Sequence, residues 1–331
     1  MRPLTLPSGN PDTTIMTRLF TMALCLATCA CLSLSADPAL PSAVTPVPSR
    51  VRVQFVERGA TVIRNVALEE YVSATAVSEF APPSGETSIV EKMLEIQAVI
   101  GRTYAVSHLG RHAREGFDLC SKTHCQLYEP GRLRTSRWAP LAIEAAERTE
   151  GLVLRYEGQP AEALFHADCG GHTSSATDVW GGAGKTYLVS RADTGPTDQA
   201  HVQWEYRVTR TALATALRND PRTKLDGPLT SVTVARRDDA GRAERVAIKS
   251  GKIVKEVRGE DFREVLGRAF GARTVRSTRF EINSDATGVT FSGRGFGHGV
   301  GLCQVGAIAR LTAGAKPKDV FAFYYPGTVV K

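Results

Sequence analysis

The sequence predicts an α+β fold, with helices and short antiparallel strands mixed around a binding cleft and a β-rich second lobe. Three observations support this. Apolar and polar residues alternate over 51–57 and 61–66 about Arg58-Gly59, which is a hairpin signal. Apolar residues recur at helical spacing over 67–80 and 89–109. Strand and helix patterns then interleave without the regular βαβ rhythm of a parallel sheet. No internal repeat is visible.

Residues 1–35 read as a secretory signal. Arg18 precedes an apolar stretch from Leu19 to Leu34, and Ser33 and Ser35 are the small residues a signal peptidase reads. Met16 is an alternative start, and Leu26-Ala-Thr-Cys29 is a poor lipoprotein site because Thr precedes the Cys. A retained anchor is the competing reading, but the stretch falls short of the roughly 20 residues a span needs. The expected location is the periplasm or cell envelope, with the signal cleaved or kept as an anchor. Residues 36–50 form a Pro-rich linker. Beyond it we expect a core over 51–200, a β-rich lobe or insertion over 201–290, and a C-terminal segment, 291–331, that completes the core.

Of seven cysteines, Cys25, Cys29 and Cys31 leave with the signal, and Cys120, Cys125, Cys169 and Cys303 remain. Four are too few for a disulfide scaffold, but an even number outside the cytoplasm suits bridges or a metal site. The net charge of +7 falls to +6 without Arg2, Arg18 and Asp12. Such an excess suits an anionic polymer such as cell-wall glycan better than nucleic acid, although solubility alone explains it too.

Within the core, the helix expected over 67–80 places Leu68, Val72, Thr75 and Glu79 on one stripe, with Glu69 and Glu70 opposite. Pro82-Pro83-Ser84-Gly85 breaks the chain before the helix over 89–109. A carboxylate on a core-facing stripe at a helix C-terminus is disfavoured as an anion by desolvation and by the helix dipole. That raises its pKa, as a general acid requires; pairing of Glu79 with Arg102 is the structural alternative. In the following loop, His112, Cys120, His124 and Cys125 can form a closed Cys₂His₂ zinc site. A Cys120–Cys125 disulfide is the other reading, and His108 shares a helix face with His112 if the helix persists. After a helix over 140–148 and strands over 152–156 and 161–167, Phe165-His-Ala-Asp-Cys-Gly-Gly-His-Thr173 ends in a glycine turn, followed by Asp178-Val-Trp180-Gly-Gly182. Such a turn with a nearby Trp forms a plausible edge for a sugar cleft. Over 203–291 short strands alternate with two helical patterns and carry little polar chemistry. Cys169 and Cys303 both flank glycine turns and are expected to meet, as a disulfide or as two thiols.

The most distinctive stretch is Ser292-Gly-Arg-Gly-Phe-Gly-His-Gly-Val-Gly-Leu-Cys-Gln304. Glycines at 293, 295, 297, 299 and 301 strip one face of side chains, so that another backbone or a flat ligand can approach. No Gly-Lys-Ser/Thr follows and no βαβ unit surrounds it, which excludes phosphate-loop and dinucleotide readings.

These segments together resemble the SpoIID/LytB family of bacterial cell-wall proteins. Leu68-Glu-Glu-Tyr-Val72 with Ser78-Glu79, Gln97-Ala-Val with Arg102-Thr-Tyr104, Phe117-Asp-Leu-Cys with Thr123-His-Cys-Gln126, Phe165-His to Gly170-Gly171, Asp178-Val-Trp-Gly181 and Gly297-His-Gly-Val-Gly301 follow the family's order over about 51–331. The resemblance implies lytic transglycosylase activity on peptidoglycan glycan strands stripped of stem peptides. It places the catalytic acid at Glu79 and maps structural zinc onto His112, Cys120, His124 and Cys125. Glycan contacts are expected from Arg102, His166, Gly170, Gly171, Trp180, Arg294, His298 and Gln304. Two departures stand out: Phe80-Ala-Pro-Pro replaces the usual Met-Pro, and Gln304-Val305 replaces Gln-Trp. A hydrolase would need a second carboxylate at about 5–10 Å, for which Glu86, Asp168 and Asp178 are available. Some relatives are described as amidase enhancers, so a non-catalytic glycan binder that stimulates a cell-wall amidase is the alternative. A catalytic metal or thiol at the Cys/His cluster ranks below both, because four protein ligands leave no open position for water.

Overall fold

The computed structural model describes residues 45–82, 86–122, 124–194 and 201–331. The expected signal peptide and linker residues 36–44 lie outside them. Strands β1 (Arg50–Glu57) and β2 (Ala60–Ala67) form the expected hairpin, in register from Arg50↔Ala67 to Glu57↔Ala60. Its turn needs two left-handed residues, Arg58 (φ 49°) and Gly59 (φ 81°). Val51, Val53 and Phe55 turn inward from β1.

The hairpin runs directly into α1 (Leu68–Glu79), where Leu68 N–H donates to the Ser49 carbonyl at 2.9 Å. Residues Tyr71 to Val77 are all buried, so α1 is a central helix enclosed on every side rather than an amphipathic one. It packs between α2 (Thr87–Ser107) and α4 (Ala139–Arg148). Between these two helices lie β3 (Leu119–Cys120) and a short α3 (Arg132–Thr135).

The chain continues through β4 (Leu154–Tyr156), β5 (Gln159–Pro160), β6 (Phe165–His166), β7 (His172–Thr173), α5 (Ala176–Trp180) and β8 (Arg191–Ala192). The strand expected over 161–167 contracts to β6. Two pairings are parallel, against the all-antiparallel expectation. β3 joins β1, and β15 (Leu302–Cys303) joins β6. In both cases helices lie between the paired strands, which is the connection a parallel pair requires.

Residues 203–294 build β9 (Gln203–Thr209), α6 (Arg210–Arg218), β10 (Leu229–Arg237), β11 (Ala243–Ser250), β12 (Ile253–Arg258), α7 (Gly259–Phe270), β13 (Phe280–Ser284) and β14 (Gly288–Arg294). They enclose their own apolar cluster, in which the Phe262, Phe280 and Phe291 rings pack at 5.7–6.3 Å. β14 crosses the expected 290/291 boundary without a break, so the lobe feeds the glycine run directly. The chain ends in α8 (Gln304–Thr312), α9 (Pro317–Tyr324) and β16 (Val329–Val330), the last pairing with β4. Among the described residues no helix is long and apolar enough to cross a membrane.

Candidate functional site

Glu79 is the last residue of α1, half-buried, with its chain turning extended at Phe80. Leu127 N–H donates to Oε1, while Oε2 has no partner among the described residues. Burial pushes the Glu79 pKa up, the Leu127 bond pulls it down, and the charge of Glu129 pushes it up again; the net direction is upward. The alternative pairing with Arg102 does not form, since Arg102 pairs with Glu69.

The surrounding groups come from distant parts of the chain. Gln304 Nε2 donates to the Glu79 carbonyl at 3.3 Å and to Gln97 Oε1 at 3.2 Å. Ser78 Oγ accepts Glu129 N–H at 3.2 Å, which fixes the Leu127–Glu129 segment beside the helix end. Glu129, Gln97 and the Leu127 N–H were not anticipated from the sequence. Only the Glu-Pro-Gly turn at 129–131 marks this segment locally. A groove of about 1120 Å³ opens between the β1–β2 hairpin and residues 127–131, lined by Glu129, Glu70, Arg64 and Arg134, though not by Glu79 itself.

Immediately before Leu127, the loop gathers His112, Cys120, His124 and Cys125, with one donor atom from each within 4.8 Å of the others. His112 Nε2 lies 3.1 Å from His124 Nε2 and 3.4 Å from Cys125 Sγ, and Cys120 Sγ lies 3.4 Å from His124 Nε2. Tetrahedral zinc has N–N edges of about 3.3 Å and N–S edges of about 3.6 Å, given its bond lengths. These donors therefore fit a closed zinc site. His112 Nδ1 meets Glu115 Oε1 at 2.6 Å, the carboxylate support typical of a ligating imidazole. His108 is excluded, because α2 ends at Ser107 and its ring stacks on Tyr104. All four described cysteines are free.

The glycine run packs against this chain's own backbone and side chains, not an open face. A side chain at Gly295 would strike the Asp168 carbonyl at 2.7 Å, and one at Gly297 would strike His166 Cβ at 2.8 Å. Both glycines have positive φ, 82° and 108°. This packing corrects several expected glycan contacts. His298 donates through Nε2 to the Phe165 carbonyl at 3.0 Å and accepts Val300 N–H on Nδ1 at 3.1 Å, and burial pushes its pKa down to about 4. It is a neutral brace, with the half-buried Trp180 ring 5.2 Å away. His166 is buried beneath it. The Gly170 carbonyl accepts from Arg279, and the Gly171 carbonyl accepts Asp193 N–H. Arg294 is half-buried with its Nε enclosed.

Arg102 is corrected most firmly. It is fully buried, paired bidentately with Glu69 and bonded to the Leu152 and Ala146 carbonyls, each at 3.1 Å. It organises α1 against α4 and has no surface to offer a ligand. Among the expected contacts, Gln304 alone is brought to Glu79, while Trp180 stays half-buried near His298.

The second carboxylates suggested by the sequence are committed elsewhere. Asp168 is buried; burial alone would raise its pKa, but bonds from His201 (2.6 Å), Gly170 N–H (2.8 Å) and Val202 N–H (2.7 Å) hold it below the usual range. Asp178 accepts the Ser175 hydroxyl at 2.6 Å at the start of α5. Glu86 accepts from Ser88 at the exposed start of α2.

Comparison with known proteins bears on the whole arrangement. The family described as Stage II sporulation protein, SpoIID, matches residues 56–156, and a domain of unknown function matches residues 185–301. The chain is 28% identical to stage II sporulation protein D of Bacillus subtilis (strain 168) over 309 residues, covering 90% of this chain and 84% of that protein. It is 30% identical to an uncharacterized protein of Brachyspira hyodysenteriae over 272 residues, 80% of this chain and 67% of the relative. It is also 26% identical to the amidase enhancer of Bacillus subtilis over 280 residues, which is 72% of this chain but only 37% of that longer protein.

Proposed function

Because the chain belongs to the SpoIID family, we propose that it works on the bacterial cell wall as an exported lytic transglycosylase that cuts peptide-free glycan strands with Glu79 as acid and base. The observation behind this reading is one half-buried carboxylate with a raised pKa, one oxygen held by a backbone N–H and the other free to carry a proton. Glu79 gives that proton to the oxygen joining N-acetylmuramic acid to N-acetylglucosamine. The muramic C6 hydroxyl then attacks the anomeric carbon and returns its proton to the same carboxylate, leaving a 1,6-anhydro end without consuming water. Engagement of Asp168, Asp178 and Glu86 elsewhere supports one carboxylate over two.

Mass spectrometry of peptide-free strands after incubation tests this. Anhydro-muramyl ends are expected; reducing ends would mean hydrolysis, with Glu129 the first residue to examine. If the strands bind uncut and a muramoyl-alanine amidase is stimulated, the enhancer reading takes over. That second reading is favoured by the similarity to the amidase enhancer.

Two further results are expected. Glu129→Gln removes a negative charge that disfavours ionised Glu79, so the Glu79 pKa falls and the alkaline limb of the pH–rate profile moves to lower pH. An unmoved limb would mean that Glu79 does not set it. The Cys₂His₂ loop is proposed to hold one structural zinc, which ties down the segment that supplies Leu127 N–H. Elemental analysis should find one zinc per chain, and chelation should lower the melting temperature and expose Cys120 and Cys125 to thiol reagents. Thiol reactivity unaffected by chelation would remove zinc from the account.

A further inference from the structure

Behind the glycine run lies a second cluster, separate from Glu79 and from the Cys120 loop. Pairing of β6 with β15 sets His166 opposite Cys303. The turn after β6 brings Cys169 back, so that its N–H donates to Cys303 Sγ at 3.2 Å. One donor atom from each of His166, Cys169 and Cys303 lies within 4.8 Å of the others, and all three residues are buried.

Two observations show the cluster to be incomplete as it stands. His166 Nδ1 bonds the Val300 carbonyl at 3.2 Å, which places its hydrogen there and leaves Nε2 a lone-pair donor. That Nε2 is enclosed and has no partner, an unfavourable state for a buried polar atom. Both sulfurs accept backbone N–H groups, Cys169 from Gly171 at 3.3 Å and Cys303 from Gly306 at 3.3 Å, and the Cys169 thiol donates to Asp193 Oδ2 at 3.4 Å. Beside them the fully buried Arg242 donates to the Cys169 carbonyl at 2.7 Å, with its Nε unpartnered. Its guanidinium forms no ion pair within 4.0 Å among the described residues. A buried cation without a counter-ion is strongly disfavoured.

We propose that His166, Cys169 and Cys303 form a buried three-coordinate site for a soft monovalent cation, Cu(I). Two thiolates and an imidazole are ligands that soft cations select. Zinc in a closed site takes four ligands, and the nearest fourth group is occupied. Asp193 Oδ2, 3.4 Å from Cys169 Sγ, accepts the Tyr324 hydroxyl at 2.7 Å, and Oδ1 pairs with Arg310 at 2.9 Å. Binding releases one proton from each thiol, so Cu(I) with two thiolates carries one negative charge, beside which the unpaired guanidinium of Arg242 lies.

The test is a Cu(I) titration of zinc-supplemented protein, reduced and anaerobic, against bathocuproine disulfonate. Released zinc is followed in parallel, so that copper entering the Cys120 loop is counted separately. The protein is expected to withhold one Cu(I) without releasing zinc. Cys303→Ser should weaken that binding by more than the 10–100-fold that a change outside the ligand shell typically causes. X-ray absorption of the copper-loaded unsubstituted protein needs no variant and should show two sulfurs and one nitrogen. Equal competition by Cys303→Ser, or copper with only nitrogen and oxygen neighbours, overturns the proposal. So does a Cys169–Cys303 disulfide in protein isolated without reductant.

Discussion

Glu79→Gln is expected to slow glycan cleavage by about 10²–10⁴-fold, the usual contribution of a positioned general acid, while leaving the fold intact. Gln keeps the shape of the side chain and can still accept Leu127 N–H through Oε1, so strand binding should survive. The stability effect has a defined sign. A carboxyl whose pKa is raised in the folded state stabilises the fold most below its unfolded pKa of about 4.3 and loses that contribution as pH rises through the folded value. Glutamine does not ionise, so the variant should melt at or above the wild-type temperature at neutral pH and lose its advantage in acid. Melting curves from pH 4 to 8, alongside product analysis, separate the two effects. Full activity in Glu79→Gln would falsify the assignment of the acid.

Arg102→Ala is expected to be the most destabilising of the substitutions at the expected site residues, by about 3–5 kcal/mol, because it leaves a partly buried carboxylate without its partner. For a domain of this size that corresponds to roughly 10 °C in melting temperature. Arg102→Lys should recover little, since one ammonium cannot reproduce the bidentate fork to Glu69 together with the Ala146 and Leu152 carbonyls. In a cycle with Glu69→Gln the two losses should be strongly non-additive. The distinguishing readout is catalysis below the melting transition. A glycan-contacting arginine would raise KM with little loss of stability, whereas this one should lower stability and leave the KM of the folded protein unchanged.

Much of the frame was legible because it depends on local patterning. The hairpin follows from alternation around Arg58-Gly59, and the two long helices start and stop within two residues of expectation because Pro82 and Gly110 punctuate them. The position of Glu79 at a helix end was equally readable. Its neighbours were not, since Leu127 and Gln304 are brought there by tertiary packing that no sequence period records. Arg102 and His166 were misassigned for a related reason. A polar residue in a motif looks like a ligand contact until the structure shows its hydrogen bonds already satisfied within the chain, or its ring enclosed. The glycine run gave the correct physics, close approach, while leaving open what approaches; Gly295, Gly297 and Gly301 meet the segment from Leu164 to Gly170, Gly293 meets Trp204 and Gly299 meets Arg242.

Gln304 reaches back across 225 positions to the Glu79 carbonyl and 207 to Gln97, and β15 closes on β6 across 137. Contacts of such sequence separation form late, because loop closure must be overcome before they reward the chain. The helix bearing Glu79 is therefore made long before the glutamine that braces its end. A chain translated only as far as Cys303 holds the Glu79 carbonyl without that brace. On the proposed transglycosylase reading, the order of translation would act as a timing device, withholding cleavage until the C-terminal helices have packed.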